Sequence, residues 1–211
     1  MLTFKSAIGQ KNTLGSWSVV NLKADLNDKW SIYSEFQLRS LSWYDRFYYD
    51  ELKAGLTYAV TPSFNITAGT GLYNTFKEGV EYDNYSVQKE FRLWEQFVLD
   101  QKLAFVKIEH RARIEQRFKD EYANRFRYRL NVSVPLNKKE IAPKTLFASV
   151  YDEVFFTDES PVFSRNRSFA GLGYIFSEHF SLQSGWLRQI DFYQDWKRRK
   201  NYLMMSVAYK L

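Results

Sequence analysis

Leu103-Ala104-Phe105-Val106-Lys107-Ile108-Glu109-His110-Arg111-Ala112-Arg113-Ile114-Glu115-Gln116-Arg117 is the stretch that decides the fold. Lys107, Glu109, Arg111, Arg113, Glu115 and Arg117 alternate with Val106, Ile108, His110, Ala112, Ile114 and Gln116. A helix would scatter the six charges around its circumference, whereas a strand sets them in one row. The stretch therefore reads as a strand with a charged face and a largely apolar face.

Working outward, the same period of two recurs along most of the chain. Arg125–Val134 sets Arg125, Arg127, Arg129, Asn131 and Ser133 opposite Phe126, Tyr128, Leu130, Val132 and Val134. In Trp30–Ser40, Trp30, Ile32, Phe36 and Leu38 oppose Tyr33, Glu35, Gln37 and Arg39. Glu51–Val60 and Phe64–Tyr73 repeat the pattern around Thr61-Pro62-Ser63. Further strands are predicted at Leu14–Ala24, Glu90–Leu99, Thr145–Phe156, Arg165–Phe176, Phe180–Ile190 and Asn201–Leu211. Glu95 and Asp152 interrupt the apolar sides of their strands, which points to a bulge or to strand ends beyond the apolar layer.

The connections alternate in length. Short turns are predicted at Asp25–Lys29, Thr61–Ser63, Asp100–Lys102 and Ser177–His179, with a longer one at Pro135–Pro143. Longer polar and aromatic loops are predicted at Leu41–Asp50, Asn74–Lys89, Phe118–Asn124, Thr157–Ser164 and Asp191–Lys200. Short turns on one side and longer loops on the other, joined by strands of about ten residues, are the pattern of outer-membrane barrels.

A soluble barrel also alternates, so other features must separate the two. No apolar run approaches the ~18–20 residues of a membrane helix. Aromatic residues make up 18% of the 211 residues. Trp30, Tyr58, Phe64, Phe176, Phe180 and Tyr209 collect at the short-turn ends, where an interfacial girdle lies. Gly55, Gly69, Gly71, Gly171 and Gly173 fall on the polar side, where a lumen filled by long side chains needs room. Leu203, Met205, Val207, Tyr209 and Leu211 alternate to the C-terminus, similar to the terminal signal of outer-membrane barrels, with leucine where phenylalanine is usual. The reading is an all-β, antiparallel transmembrane barrel integral to a bacterial outer membrane.

The count is eleven strands, whereas bacterial single-chain barrels have even numbers. Ten or twelve strands are the candidates, and twelve is favoured. Residues 1–13 are then either a remnant of a targeting segment or an extra strand, and residues 14–211 form a single barrel.

Arg92-Leu93-Trp94-Glu95-Gln96, Arg113-Ile114-Glu115-Gln116-Arg117-Phe118, Arg127-Tyr128-Arg129-Leu130 and Asn166-Arg167 with Gly171-Leu172-Gly173-Tyr174 carry a family likeness. Together they resemble the uncharacterised family catalogued as domain of unknown function 2490, outer-membrane barrels of Bacteroidetes-type bacteria. The resemblance runs from Leu14-Gly15-Ser16-Trp17 to the last strand. It implies fold and location and brings no activity, ligand or catalytic residue.

The candidate site is the charge row. Lys107, Glu109, Arg111, Arg113, Glu115, Arg117, Arg125, Arg127, Arg129 and Arg167 are predicted to face the lumen, with Arg165, Glu35, Arg39, Glu51, Lys53 and Glu153. One reading is an ion-pair network that fills a narrow lumen. The other is a basic constriction that favours anions, since the acids are too few to pair every base. The net charge of +6 agrees with a basic cavity or an anionic surface as partner.

Other chemistry has weaker support. Cysteine is absent, which excludes disulfides and thiolate sites. His110 and His179 are the only histidines, with no local carboxylate cluster to make a metal site. His110 lies on the apolar face without a serine beside it, so no catalytic residue and no cofactor is assigned, and lipid modification is a minor alternative. Loop aromatics Trp43, Tyr44, Phe47, Tyr48, Tyr49, Tyr82, Tyr85, Phe192, Tyr193 and Trp196 are candidates for loop packing or recognition. Lys197-Arg198-Arg199-Lys200 suits lipopolysaccharide phosphates better than nucleic acid. The expected function is non-enzymatic: an accessory subunit of an envelope complex with a protein partner, or a narrow anion-favouring pore.

Overall fold

The computed structural model describes residues 14–78 and 86–211. The predicted extra strand or targeting remnant at residues 1–13, and Tyr82 and Tyr85, lie outside them. Eleven strands follow one another: β1 (Gly15–Asp25), β2 (Trp30–Ser42), β3 (Asp45–Thr61), β4 (Phe64–Phe76), β5 (Ser86–Leu103), β6 (Val106–Phe118), β7 (Tyr122–Pro135), β8 (Thr145–Thr157), β9 (Phe163–Ile175), β10 (Phe180–Phe192) and β11 (Lys197–Lys210). Each pairs with its sequence neighbour, and β11 pairs with β1 to close the barrel.

The closing pair is parallel, over nine residue pairs from Gly15↔Tyr202 to Lys23↔Lys210. Every hairpin reverses the chain, so an odd number of strands brings the first and last round in the same direction. The eleven strands counted in the sequence are all present. The twelfth, favoured on parity, is not required, because β1 and β11 hydrogen-bond to each other directly.

The strands are longer than predicted and take up most of the expected loops. Leu41–Asp50 is a two-residue turn at Trp43-Tyr44 between β2 and β3, and the β10–β11 connection is Tyr193–Trp196. The turn predicted at Asp100–Lys102 is strand, and the reversal falls at Ala104-Phe105, with Ala104 at φ 53°. Glu95 and Asp152 sit in unbroken register, so neither marks a bulge. Each turns outward and meets a polar neighbour: Gln116 donates to Glu95 at 3.4 Å, and Asn166 and Ser168 donate to Asp152 at 2.8 and 2.7 Å.

Polarity is inverted relative to a soluble barrel. Leu52, Leu72, Val150, Leu172 and Trp186 point outward, each more than half exposed. The charged row of β6 and its neighbours points inward and is largely buried. Two kinds of packing occupy the interior. On the β1, β9, β10 and β11 side, Trp17, Val19, Tyr48, Phe169, Leu187, Tyr202 and Met204 form an apolar wedge. On the β5–β8 side stand the arginines and glutamates. A register shift in β3 leaves Tyr48 as an extra residue, so Tyr48 and Tyr49 both face the cavity instead of an outer loop.

Candidate functional site

The interior cavity has a volume of ≈ 1050 Å³. Its lining runs from Ser181 and Ala208 near the short-turn end to Tyr193 and Arg198 near the other. Strand alternation delivers the charges: in β6 every odd residue from Lys107 to Arg117 faces in, and β7 continues with Arg125, Arg127 and Arg129.

Glu115 is the centre of the network and has no exposed surface. Arg125 donates to it, and Arg127 Nη1 donates at 2.6 Å. Arg92 and Arg113 lie within 3.7 and 3.8 Å of the same carboxylate. Glu153 is a second hub, held by Arg111 at 2.5 Å and Arg127 at 2.8 Å, with Arg167 at 3.7 Å. Glu90 accepts two hydrogen bonds each from Arg92 and Arg117. Forked pairs of this kind satisfy both partners in a low-dielectric interior. Arg129 pairs with Glu109 at 2.6 Å, and Lys107, nearer the rim, with Asp100 at 3.2 Å.

A second group lies across the lumen. Arg39 donates to Glu51 at 3.0 Å and is sandwiched between Trp17 and Tyr49, 3.6 and 4.0 Å from their ring centres. Lys53 pairs with both Glu51 and Glu35. Arginine also stacks on the other interior rings: Arg92 on Tyr73 at 3.6 Å and Arg113 on Trp94 at 4.5 Å. Phe155, fully buried, lies under the guanidinium carbons of Arg127 and Arg167, 4.6 and 4.7 Å from its ring centre. Cation–π contact lets guanidinium groups sit buried when acids are scarce.

The acids are scarce. Among the described residues, fifteen lysine and arginine side chains line the cavity against seven acids, with Glu115 enclosed beside them as an eighth. Most of these acids are shared by two or more bases, so the lumen carries an excess of cations among the described residues. Arg39 Nε, Arg113 Nη1 and Arg129 Nε have no hydrogen-bond acceptor among the described residues.

All ten network residues predicted from the sequence line the lumen or its buried wall, and so do Glu35, Arg39, Glu51, Lys53, Glu153 and Arg165. Sequence reading passed over Glu90, Arg92 and Asp191, although each falls on the inward parity of its strand. It also read Lys197–Lys200 as one basic patch. In β11 alternation splits it: Arg198 and Lys200 turn in towards Glu78, and Lys197 and Arg199 turn out. Trp30, Tyr58, Phe64, Phe176, Phe180 and Tyr209 all lie at the short-turn rim, with the Trp30 and Tyr58 rings 4.8 Å apart. His110, on the outer wall, is hydrogen-bonded to Tyr128 at 2.7 Å and Gln101 at 3.2 Å. Neither partner is a serine or a carboxylate.

The geometry defines a closed eleven-stranded barrel with an apolar outer wall and a cationic, partly filled lumen. The chain belongs to the family described as protein of unknown function (DUF2490), whose model matches residues 14–200. No curated protein and no solved structure matches it.

Proposed function

We propose that this chain is an integral barrel of a Gram-negative outer membrane that works without catalysis, its lumen serving as a narrow passage that favours anions. The observation that carries the reading is the inverted polarity together with the cation excess. An apolar wall suits lipid outside, and fifteen bases against eight acids, Glu115 included, among the described residues favour a positive potential inside. Among the described residues the sheet closes on itself through the Gly15–Lys23 and Tyr202–Lys210 ladder, so no strand runs its length as an open edge, as a membrane interior requires. The test is reversal potential in planar bilayers under a potassium chloride gradient. Anion selectivity that falls when Arg111 and Arg129 are changed to Glu supports the passage; a silent or cation-selective wild-type barrel rejects it.

One observation favours a second reading, an accessory or structural subunit of a cell-envelope complex with a protein partner. The arginines around Glu115 leave it no exposed surface, so part of the interior is filled and stiffened. Gentle detergent extraction followed by mass measurement separates the two: a stable higher-mass assembly without conductance supports the subunit. Lipid modification through His110 is supported least, since its hydrogen-bond partners are Tyr128 and Gln101.

A further inference from the structure

Arg188, Lys197 and Arg199 form a cationic group on the outer wall, distinct from the lumen. Register places them together: Arg188 pairs across with Asn201, Ile190 with Arg199 and Phe192 with Lys197. Arg188 and Arg199 are therefore diagonal neighbours on one face, about 7–8 Å apart at the backbone and within reach of one small anion. All three side chains are exposed. None has an ion-pair or hydrogen-bond partner among the described residues. Asp152, the outward acid in the same cross-strand row, lies two strands from Arg188 and is engaged by Asn166 and Ser168.

Their height matters, and here the argument rests on the membrane reading above. Phe180 and Tyr209 pair at the short-turn rim. Strands rise about 3.3 Å per residue and tilt by about 40° in such barrels. Arg188 then stands about 20 Å above that rim, Arg199 about 25 Å and Lys197 about 30 Å, against an apolar band about 25 Å tall. The three cations thus span the level of the headgroups on the side away from the short turns. Below them the wall is apolar, with Trp186 57% exposed and Leu182 on the same face four residues nearer the short turns. Unpaired cations on a lipid-facing wall are costly unless they snorkel to an anion.

We infer that Arg188, Arg199 and Lys197 bind the phosphorylated headgroup of a membrane lipid, whose acyl chains lie over Trp186 and Leu182. The two guanidinium groups provide forked donors for phosphate oxygens, and Lys197 adds a third charge from above.

The test uses the full chain in phosphatidylcholine nanodiscs containing bisphosphorylated lipid A, with bound lipid counted by native mass spectrometry. Wild type should retain lipid A at least tenfold better than its phosphate-free form. Arg188→Ala with Arg199→Ala should remove that preference, whereas Arg111→Ala in the lumen should preserve it. Circular dichroism confirms that each variant keeps its sheet. Equal retention by the wall variant, or no preference for phosphate in wild type, overturns the inference. Flotation of wild type with phosphatidylcholine vesicles tests the membrane reading by itself. Protein that floats without selecting lipid A loses only this site; protein that does not float loses both.

Discussion

Arg127 links two buried carboxylates at once: its Nη1 donates to Glu115 at 2.6 Å while its Nη2 donates to Glu153 at 2.8 Å. The two hubs of the lumen are thus one connected network, reaching from Arg92 on β5 through β6 and β7 to Arg167 on β9. A carboxylate shared by several arginines is worth more to them than to itself, because its loss leaves several buried cations facing one another.

Glu115→Gln should therefore destabilise the barrel by about 3–5 kcal/mol, the range for removing one partner of a buried pair. Glu109→Gln should cost less than half as much, since Glu109 has one arginine hydrogen bond and is about one-fifth exposed. Urea unfolding of the two variants, followed by tryptophan fluorescence, makes the comparison. Equal losses would mean that the network is not centred on Glu115.

Glycine at 173 makes room for one ring. A Cβ there would lie 2.2, 2.6 and 2.9 Å from atoms of the Phe147 side chain and would meet no nearer backbone. Gly173→Ala should lower stability by about 1–3 kcal/mol, as overpacking does. In a Phe147→Ala background the same change should be close to neutral. A double-mutant cycle from unfolding midpoints gives the coupling; simple additivity would show that the contact is not the cause.

The parallel seam is open to a chemical test, because the chain has no cysteine of its own. Ser18 pairs with Met205 in the β1–β11 ladder. Ser18→Cys with Met205→Cys should cross-link on mild oxidation of the folded protein and give a faster-migrating band on a denaturing gel. Moving the second cysteine to Leu182, one strand further round, should abolish the product. No cross-link from the first pair would mean that β1 and β11 are not neighbours.

Asp158 ties the β8–β9 connection to β7. The Asn124 backbone amide donates to its two carboxylate oxygens at 3.0 and 2.9 Å, and the Asn124 side chain donates at 2.8 Å. These bonds, the backbone one foremost, hold the carboxyl below the usual aspartate range. With the folded value depressed, the tether is at full strength above the ordinary aspartate pKa and weakens as pH falls through the lowered one. Protection of the Asn124 amide, its exchange rate divided into the intrinsic rate at each pH, should fall in acid in wild type. Asp158→Asn should exchange with little dependence on pH between 2 and 5 beyond the intrinsic rate, and an unchanged profile would reject the tether.

Alternation alone determined the strands, their faces and the inward charge row of β6 and β7. A period of two has one structural meaning, and a one-residue slip would turn Arg111 and Arg113 out and Ile114 in. Aromatic placement at the turns was legible for the same local reason. Strand ends were not, since hairpin pairing extended β2, β3 and β5 into polar stretches that looked like loops. The splitting of Lys197–Lys200 depended on β11 beginning at Lys197, which only its pairing with β10 fixes. Nor could sequence decide the closure. Whether β11 meets β1 directly depends on circumference and register summed over all the strands, and no local pattern carries that sum. The sharing of Glu115 among four arginines from three strands was likewise not legible locally, because it depends on the β5–β6 and β6–β7 registers, which set Arg125 directly opposite Glu115 and Arg92 and Arg127 on its diagonals.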